Sequence, residues 1–249
     1  MDTQTMEKLL ALNREFYAAF APHFAASRPT ADPALTCILP YISPGARVLD
    51  IGCGNGRLAL LLEQERPGAT YVGLDSIPEL VEIARAQSAH LQTIAAQFHV
   101  ADIAGSGWSR DVGLCSFDCI ACLAVLHHIP GFDRRAAVLH EVASLLAPGG
   151  RLIVSTWQFL SNARMRRKIV PWDKVDISTD KLEAGDYLLD WKRGGRGLRY
   201  CHLVDEAEMA RLAAASGLRI RETFRAGGRE GDLSLFAVLD VCQPPVCEV

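Results

Sequence analysis

The stretch Val48–Leu62, VLDIGCGNGRLALLL, decides how this chain folds. It opens as an apolar run of strand character and closes as a helical one, and between them Gly52, Gly54 and Gly56 stand at alternate positions. Glycine lets a backbone turn tightly and come close to a ligand, and the N-terminus of the helix beyond presents free N–H groups with a partial positive charge. An anionic group belongs at such a turn. Dinucleotide enzymes use G-x-G-x-x-G for a pyrophosphate, whereas the pattern here is G-x-G-x-G, with Asp50 just ahead of it. An acidic side chain above the loop suits a cationic amine better than a pyrophosphate.

The same rhythm continues outward. ATYVGLD (69–75), AAQFHVAD (95–102), SFDCIACLAV (116–125) and GRLIVSTW (150–157) are short strand-like runs, mostly separated by helical segments such as PELVEIARAQ and RRAAVLHEVASLL. Alternating strand and helix predicts an α/β fold with a doubly wound, mainly parallel sheet. The connection after Asp102 is short and glycine-punctuated, which predicts no full helix, and Pro148, Gly149 and Gly150 are expected to end a helix and release the chain into the next strand. Further on, DEAEMARLAAASG (205–217) reads as a helix, followed by LRIRETFRA (218–226) and LSLFAVLD (233–240) as an antiparallel hairpin turning through GGREG. These runs make seven strands. Upstream, apolar groups at helical spacing from Thr5 to about Ala26 predict one or two helices.

The expected division is a helical cap over residues 1–30, an α/β core over 31–157, a basic insertion over 158–200, a helix and hairpin completing the same domain over 201–241, and a loose tail over 242–249. At 249 residues, nearly half of them apolar, the chain has the size and composition of one large globular domain. No apolar run approaches the roughly 18 residues of a membrane span and the N-terminus lacks a secretion signal, so a cytoplasmic protein with no membrane partner is expected. The eight cysteines are scattered, several within strand-like runs where a thiol acts as a small hydrophobe. Cys119 and Cys122 form a C-x-x-C, but three residues apart on a strand they point to opposite faces, and no cluster has metal-ligand spacing. No metal is expected.

Charge is uneven. Gln158–Tyr200 holds ten Lys and Arg against six acids, a net +4 in a chain of net −3, which leaves −7 elsewhere. A basic segment on an acidic body marks a surface for an anionic partner, or else a solvated insertion.

Two further aspartates stand at strand ends. Asp75 closes the second strand some twenty residues after the glycine loop, where a carboxylate can accept both hydroxyls of a ribose, and Asp102 closes the third, where it can accept from the exocyclic amine of an adenine between Ile103 and Leu123. Taken in order, VLDIGCGNG, GLDS, VADI, FDCIACLAVLHH and LAPGGRLIV resemble the class I S-adenosylmethionine-dependent methyltransferases. That resemblance implies a Rossmann-like fold and S-adenosylmethionine as cofactor. It implies that the loop of Asp50, Gly52, Cys53, Gly54, Asn55 and Gly56 holds the methionine part, Asp75 and Ser76 the ribose, and Asp102, Ile103 and Leu123 the adenine.

Other segments resemble a narrower family, the tRNA wobble-uridine methyltransferases that esterify a carboxymethyl group. These are FYAAFAPHFAASRP (16–29), LAVLHHIP (123–130), STWQ (155–158), VPWDK (170–174), GDYLLDWKRGGRGLRYCHLVDEAEM (185–209) and GDLSLFAVL (231–239). The resemblance implies tRNA as partner and, as in eukaryotic relatives, a small activator subunit. His127, His128 and Trp157 are then candidates for positioning the acceptor, and Arg28, Arg164, Arg166, Arg167 and Arg199 for binding its carboxylate or phosphates. The alternatives are a small-molecule methyltransferase in which the insertion is a lid, and a binding protein with a decayed site, against which the intact glycines and acids argue.

Overall fold

The computed structural model describes residues 1–29, 32–105, 107–112 and 116–242, with only the backbone of Arg110 and Asp111. In chain order the elements are α1 (Thr3–Ala25), α2 (Pro33–Thr36), β1 (Arg47–Ile51), α3 (Arg57–Glu65), β2 (Thr70–Asp75), α4 (Pro78–Ser88), β3 (Ala95–Val100), β4 (Phe117–Leu123), α5 (Phe132–Ser144) and β5 (Leu146–Trp157). Then come α6 (Ala163–Arg166), β6 (Ile169–Val170), β7 (Asp186–Trp191), β8 (Gly197–His202), α7 (Glu206–Ala215), β9 (Leu218–Ala226) and β10 (Ser234–Val241).

Seven strands form one sheet in the order β3-β2-β1-β4-β5-β10-β9, parallel from β3 to β5 and closed by the antiparallel β10–β9 pair. This is the expected doubly wound sheet with its C-terminal hairpin. Successive side chains leave a strand on opposite faces, so each strand feeds two cores. Leu49, Ile120, Cys122, Leu152 and Leu235 pack with Val138 of α5 and Leu212 of α7 on one face. On the other, Val48, Cys119, Ala121, Ile153 and Phe236 pack with Leu62 of α3 and Val81 of α4. The two C-x-x-C thiols thus lie in different layers, where burial pushes each up to about 12. On opposite faces of the sheet they cannot pair with each other as a disulfide.

One expectation is corrected. Pro148–Gly150 do not release the chain into a strand: β5 has already begun at Leu146, and the three residues form an irregularity inside it, where the pairing with β4 shifts between Phe117 and Cys119. The region after Trp157, expected as a basic insertion, holds a second sheet of order β6-β7-β8. It rests on α1, where Phe16 meets the Trp191 ring at 5.7 Å. Among the described residues, the expected connection without a full helix after Asp102 holds the 3-10 stretch Trp108–Val112. The expectation of a loose tail falls, beyond Cys242, outside the described residues. Among the described residues no helix is long and apolar enough to cross a membrane.

Candidate active site

At the C-terminal ends of β1, β2 and β4 the chain leaves a cleft that α1 roofs. Open α/β sheets place their ligands at this edge. Gly52, Gly54 and Gly56 all adopt left-handed backbone, with φ of 71°, 55° and 75°. The turn therefore demands residues without a Cβ. At Gly52 the demand is also steric, since a Cβ there would come within 2.2 Å of the Val125 side chain. Across the cleft Ala124 holds the strained φ of 59°, its N–H donated to the Ser155 carbonyl at 2.9 Å.

The cleft brings together Gly52, Cys53, Gly54, Asn55, Asp75, Ser76, Asp102, Ile103, Leu123, His128, Trp157 and Arg28. Other expected residues stand elsewhere. Asp50 lies behind the loop, buried, and accepts the Tyr71 hydroxyl at 2.7 Å; burial raises it to about 6. Gly56 faces Ala84 and Phe98. Arg164, Arg166 and Arg167 are exposed on α6 and outside the cleft.

The donor set fits S-adenosylmethionine. Each oxygen of Asp75 accepts one backbone N–H, from Gly54 at 2.9 Å and Ile77 at 3.0 Å. One lone pair per oxygen stays free for a pair of hydroxyls. Burial raises this carboxyl to about 6. Ile103, Leu123, Leu80 and Ile129 supply apolar walls. Asp102 is exposed; one oxygen accepts Ala104 N–H at 3.0 Å and the other meets Arg14 of α1 at 3.2 Å.

The far end is cationic. Arg28 and Arg199 hold their guanidinium groups 5.7 and 4.6 Å from the centre of the Trp157 ring. Neither has an ion pair among the described residues, and the buried Arg199 Nε has no hydrogen-bond partner. Burial, and then the charge of Arg57, lowers Arg28 to about 10, so it stays protonated at neutral pH. His127, fully buried, packs against Trp157, and neither ring nitrogen has a hydrogen-bond partner among the described residues. His128 Nδ1 lies 2.9 Å from the Tyr200 carbonyl, which can only accept. Nδ1 therefore carries the proton, and Nε2 accepts the Tyr17 hydroxyl at 2.8 Å. Burial, reinforced by Arg199, lowers His128 to about 3. It takes up no proton at neutral pH.

Sequence reasoning missed Asn13, Arg14, Tyr17 and Phe24, which α1 projects into the cleft. The aromatic spacing of Tyr17 and Phe24, two helical turns apart on one face, is the signal that marks them. The fold also gathers His127, His128 and Cys201, and separately Glu183, Asp186 and His202, within metal-ligand reach, although no sequence spacing announces either group. Arg135 already fills the second, 3.0 Å from Glu183 and 3.2 Å from His202.

The methyltransferase domain family matches residues 17–223. The chain is 31% identical over 174 residues to a bovine protein named probable tRNA methyltransferase 9B, covering 69% of this chain and 35% of that one. It is 38% identical over 113 residues to the ubiquinone biosynthesis O-methyltransferase of Xanthomonas campestris, 45% of this chain and 44% of that one. This chain thus spans less than half the length of either relative. Its fold is shared with an S-adenosylmethionine-dependent methyltransferase from Methanosarcina mazei, with a TM-score of 0.63 at 22% identity, over 83% of this chain and 98% of that one. With the glycine turn, the half-satisfied Asp75 and a match running through most of its length, the chain belongs to the methyltransferase domain family and shares the fold of S-adenosylmethionine-dependent methyltransferases.

Proposed function

We propose that this chain methylates a carboxylate, the carboxymethyl group of a wobble uridine in tRNA, and so forms a methyl ester. The observation that carries this reading is the pair Arg28 and Arg199, two guanidinium groups beside Trp157 with no acid to meet them among the described residues. Arg199 is buried and Arg28 half-buried; cations drawn out of water without partners are rare because desolvation is unfavourable, and a bound carboxylate supplies the missing charge-assisted bonds.

S-adenosylmethionine, when bound, supplies an electrophilic sulfonium methyl. In the proposed site the loop Gly52–Asn55 holds its methionine part, Asp75 beside Ser76 accepts the ribose hydroxyls, and Asp102, Ile103 and Leu123 face the adenine. A carboxylate, with an ordinary pKa near 4, is already ionised at neutral pH and needs no general base. A phenol does need one. The hydroxyl-to-imidazole pair at this end of the cleft runs from Tyr17 to His128, and His128 at about 3 accepts no proton. The residues therefore bind, orient and exclude water; Trp157 and His127 wall the acceptor, and His128 fixes Tyr17. This favours an ionised acceptor over the alternative, a small-molecule O- or N-methyltransferase.

The tRNA part of the reading is supported by the printed name of the bovine relative and by the basic stretch from Arg164 to Arg199. Replacing Arg164, Arg166 and Arg167 by alanine is expected to raise KM for tRNA and flatten its salt dependence, with S-adenosylmethionine affinity unchanged. The deciding experiment incubates the protein with methyl-labelled S-adenosylmethionine and total tRNA, with a metabolite extract in parallel. Label in tRNA that mild alkali releases as methanol supports the ester. Label confined to metabolites, or stable to alkali, refutes it.

A further inference from the structure

We propose that Lys168 binds a phosphate of the acceptor nucleotide, at the inner end of a cationic track that leads single-stranded RNA from the protein surface to Trp157. The proposal rests on the RNA reading above. Lys168 joins α6 to β6, and its carbonyl accepts the Asp190 N–H at 2.8 Å, which fixes it beside the end of β7. The side chain is half-buried and has no ion pair among the described residues; Asp190, the neighbouring acid, is taken by Lys192 at 3.1 Å. Burial lowers the ammonium from its ordinary range, and Arg199, Arg164 and Arg28 lower it further. Arg164 is exposed on α6, four residues before Lys168; Arg199 lies across β7 from Ile169, each pairing with Leu189, and Arg199 and Arg28 flank Trp157.

The turn between β7 and β8, KRGGR (192–196), forms the other bank. Gly194 and Gly195 hold φ of 72° and 144°, and a Cβ on Gly194 would stand 2.2 Å from the His23 ring. The turn is thus pressed onto the end of α1, next to Phe24 and within one helical turn and a short bend of Arg28. Arg193 and Arg196 on it are exposed and have no ion pair among the described residues. Cations gathered in this way repel one another, and a chain of phosphates relieves the repulsion at several points at once. A small carboxylate would meet Arg28 and Arg199 and leave Lys168 without an anion. A nucleotide brings both groups.

The test compares Lys168→Ala and Lys168→Arg with the parent on tRNA and on free 5-carboxymethyluridine, with thermal melts as a check on folding. Lys168→Ala is expected to raise KM for tRNA about tenfold at low salt and to reduce the log–log salt slope by about 0.7, the value of one contact on a single strand. Turnover at saturation, S-adenosylmethionine affinity and KM for the nucleoside are expected to stay at the parent values, and Lys168→Arg to restore most of the loss. Unchanged KM and slope for tRNA would overturn the proposal. So would equal losses on tRNA and nucleoside, which would make Lys168 part of the carboxylate pocket. If the parent methylates neither acceptor, the proposed function has failed, and filter binding of a short single-stranded RNA then decides on Lys168: a smaller slope in Lys168→Ala supports it, and an equal one refutes it.

Discussion

Strand β8 borders two buried polar clusters that resolve their charges in opposite ways. On one side Arg135 donates to Glu208 at 2.7 Å, to Glu183 at 3.0 Å and to the Ile129 carbonyl at 3.0 Å. His202 lies between Asp186 at 2.7 Å and Glu208 at 2.8 Å, and the Tyr200 hydroxyl donates to Asp186 at 2.7 Å. Every charge there has a partner. On the other side, among the described residues, Arg28 and Arg199 meet aromatic faces and a distant hydroxyl but no acid, and the ring nitrogens of His127 have no hydrogen-bond partner. The backbone of Tyr200 joins the two, since its carbonyl accepts from His128. A saturated network ties elements together, here α5, α7 and the small sheet. An unsaturated one leaves charge that a bound anion can meet.

Breaking the saturated side should have the largest effect. Arg135→Met leaves Glu208 and Glu183 without their cation in a buried site, a loss of about 3–5 kcal/mol. That corresponds to a fall of roughly 10 °C in melting temperature for a domain of this size. A melt within 2 °C of the parent would show that the carboxylates find other partners. Asp75 is intermediate, with half its accepting capacity used, so Asp75→Ala should weaken S-adenosylmethionine binding by about 1.5–3 kcal/mol in calorimetry with little change in melting. Because burial holds this carboxyl at about 6, the affinity should also fall as pH drops below about 6, where the proton occupies an accepting oxygen. Flat affinity from pH 7 to 5 would separate Asp75 from the hydroxyls.

On the unsaturated side the signs should divide. Arg199→Met removes a buried cation that lacks a counterion, so melting temperature should hold or rise, while kcat/KM for the carboxylate acceptor falls about 10- to 100-fold. A variant that loses stability and keeps activity would reverse the assignment. A smaller effect concerns pH. Burial opposes the charge on His202, but its bonds to Asp186 and Glu208 outweigh this and hold its pKa above the ordinary 6.5. Facing it are Glu183, Asp186, Glu208 and Arg135. A raised folded pKa gives stability that is complete below the unfolded value and lost as pH rises through the folded one, so melting temperature should decline from about pH 6.5 upward. His202→Gln should flatten that decline. The smallest effect is expected from chelation. EDTA should leave methyl transfer unchanged, because Arg135 fills one candidate metal cluster and Arg199 sets a positive charge near the other. Loss of activity restored by a divalent ion would make His127, His128 and Cys201 a metal site.

The parts of this design legible in the sequence are those decided within a few residues. Gly52–Gly56 and Asp75 occupy strand-to-helix turns, and Asp102 the end of a strand, whose geometry follows from local glycine and acid spacing, and the five parallel strands announce themselves by apolar runs. What stayed hidden depends on distant pairing. The two residues of β6 carry no pattern of their own and become a strand only because Leu188 and Leu189 lie opposite. Arg135 sits in a helix that reads as ordinary and amphipathic, and nothing near it foretells that Glu183 and Glu208 will converge on it. Asp50 illustrates the reverse: its position in the motif is plain, but Tyr71, twenty-one residues away, captures its carboxylate and holds it behind the loop.

The unmatched arginines also bear on turnover. In the proposed reaction the acceptor enters as an anion and leaves as a neutral ester, so the attraction that seats it at Arg28 and Arg199 disappears in the transfer itself. The pocket then holds two guanidinium groups facing an uncharged methyl ester, and release becomes downhill without any movement of the fold. The same asymmetry makes the unreacted acid a competitor of its own product, so the ester does not hold the pocket while unmethylated acceptor is present.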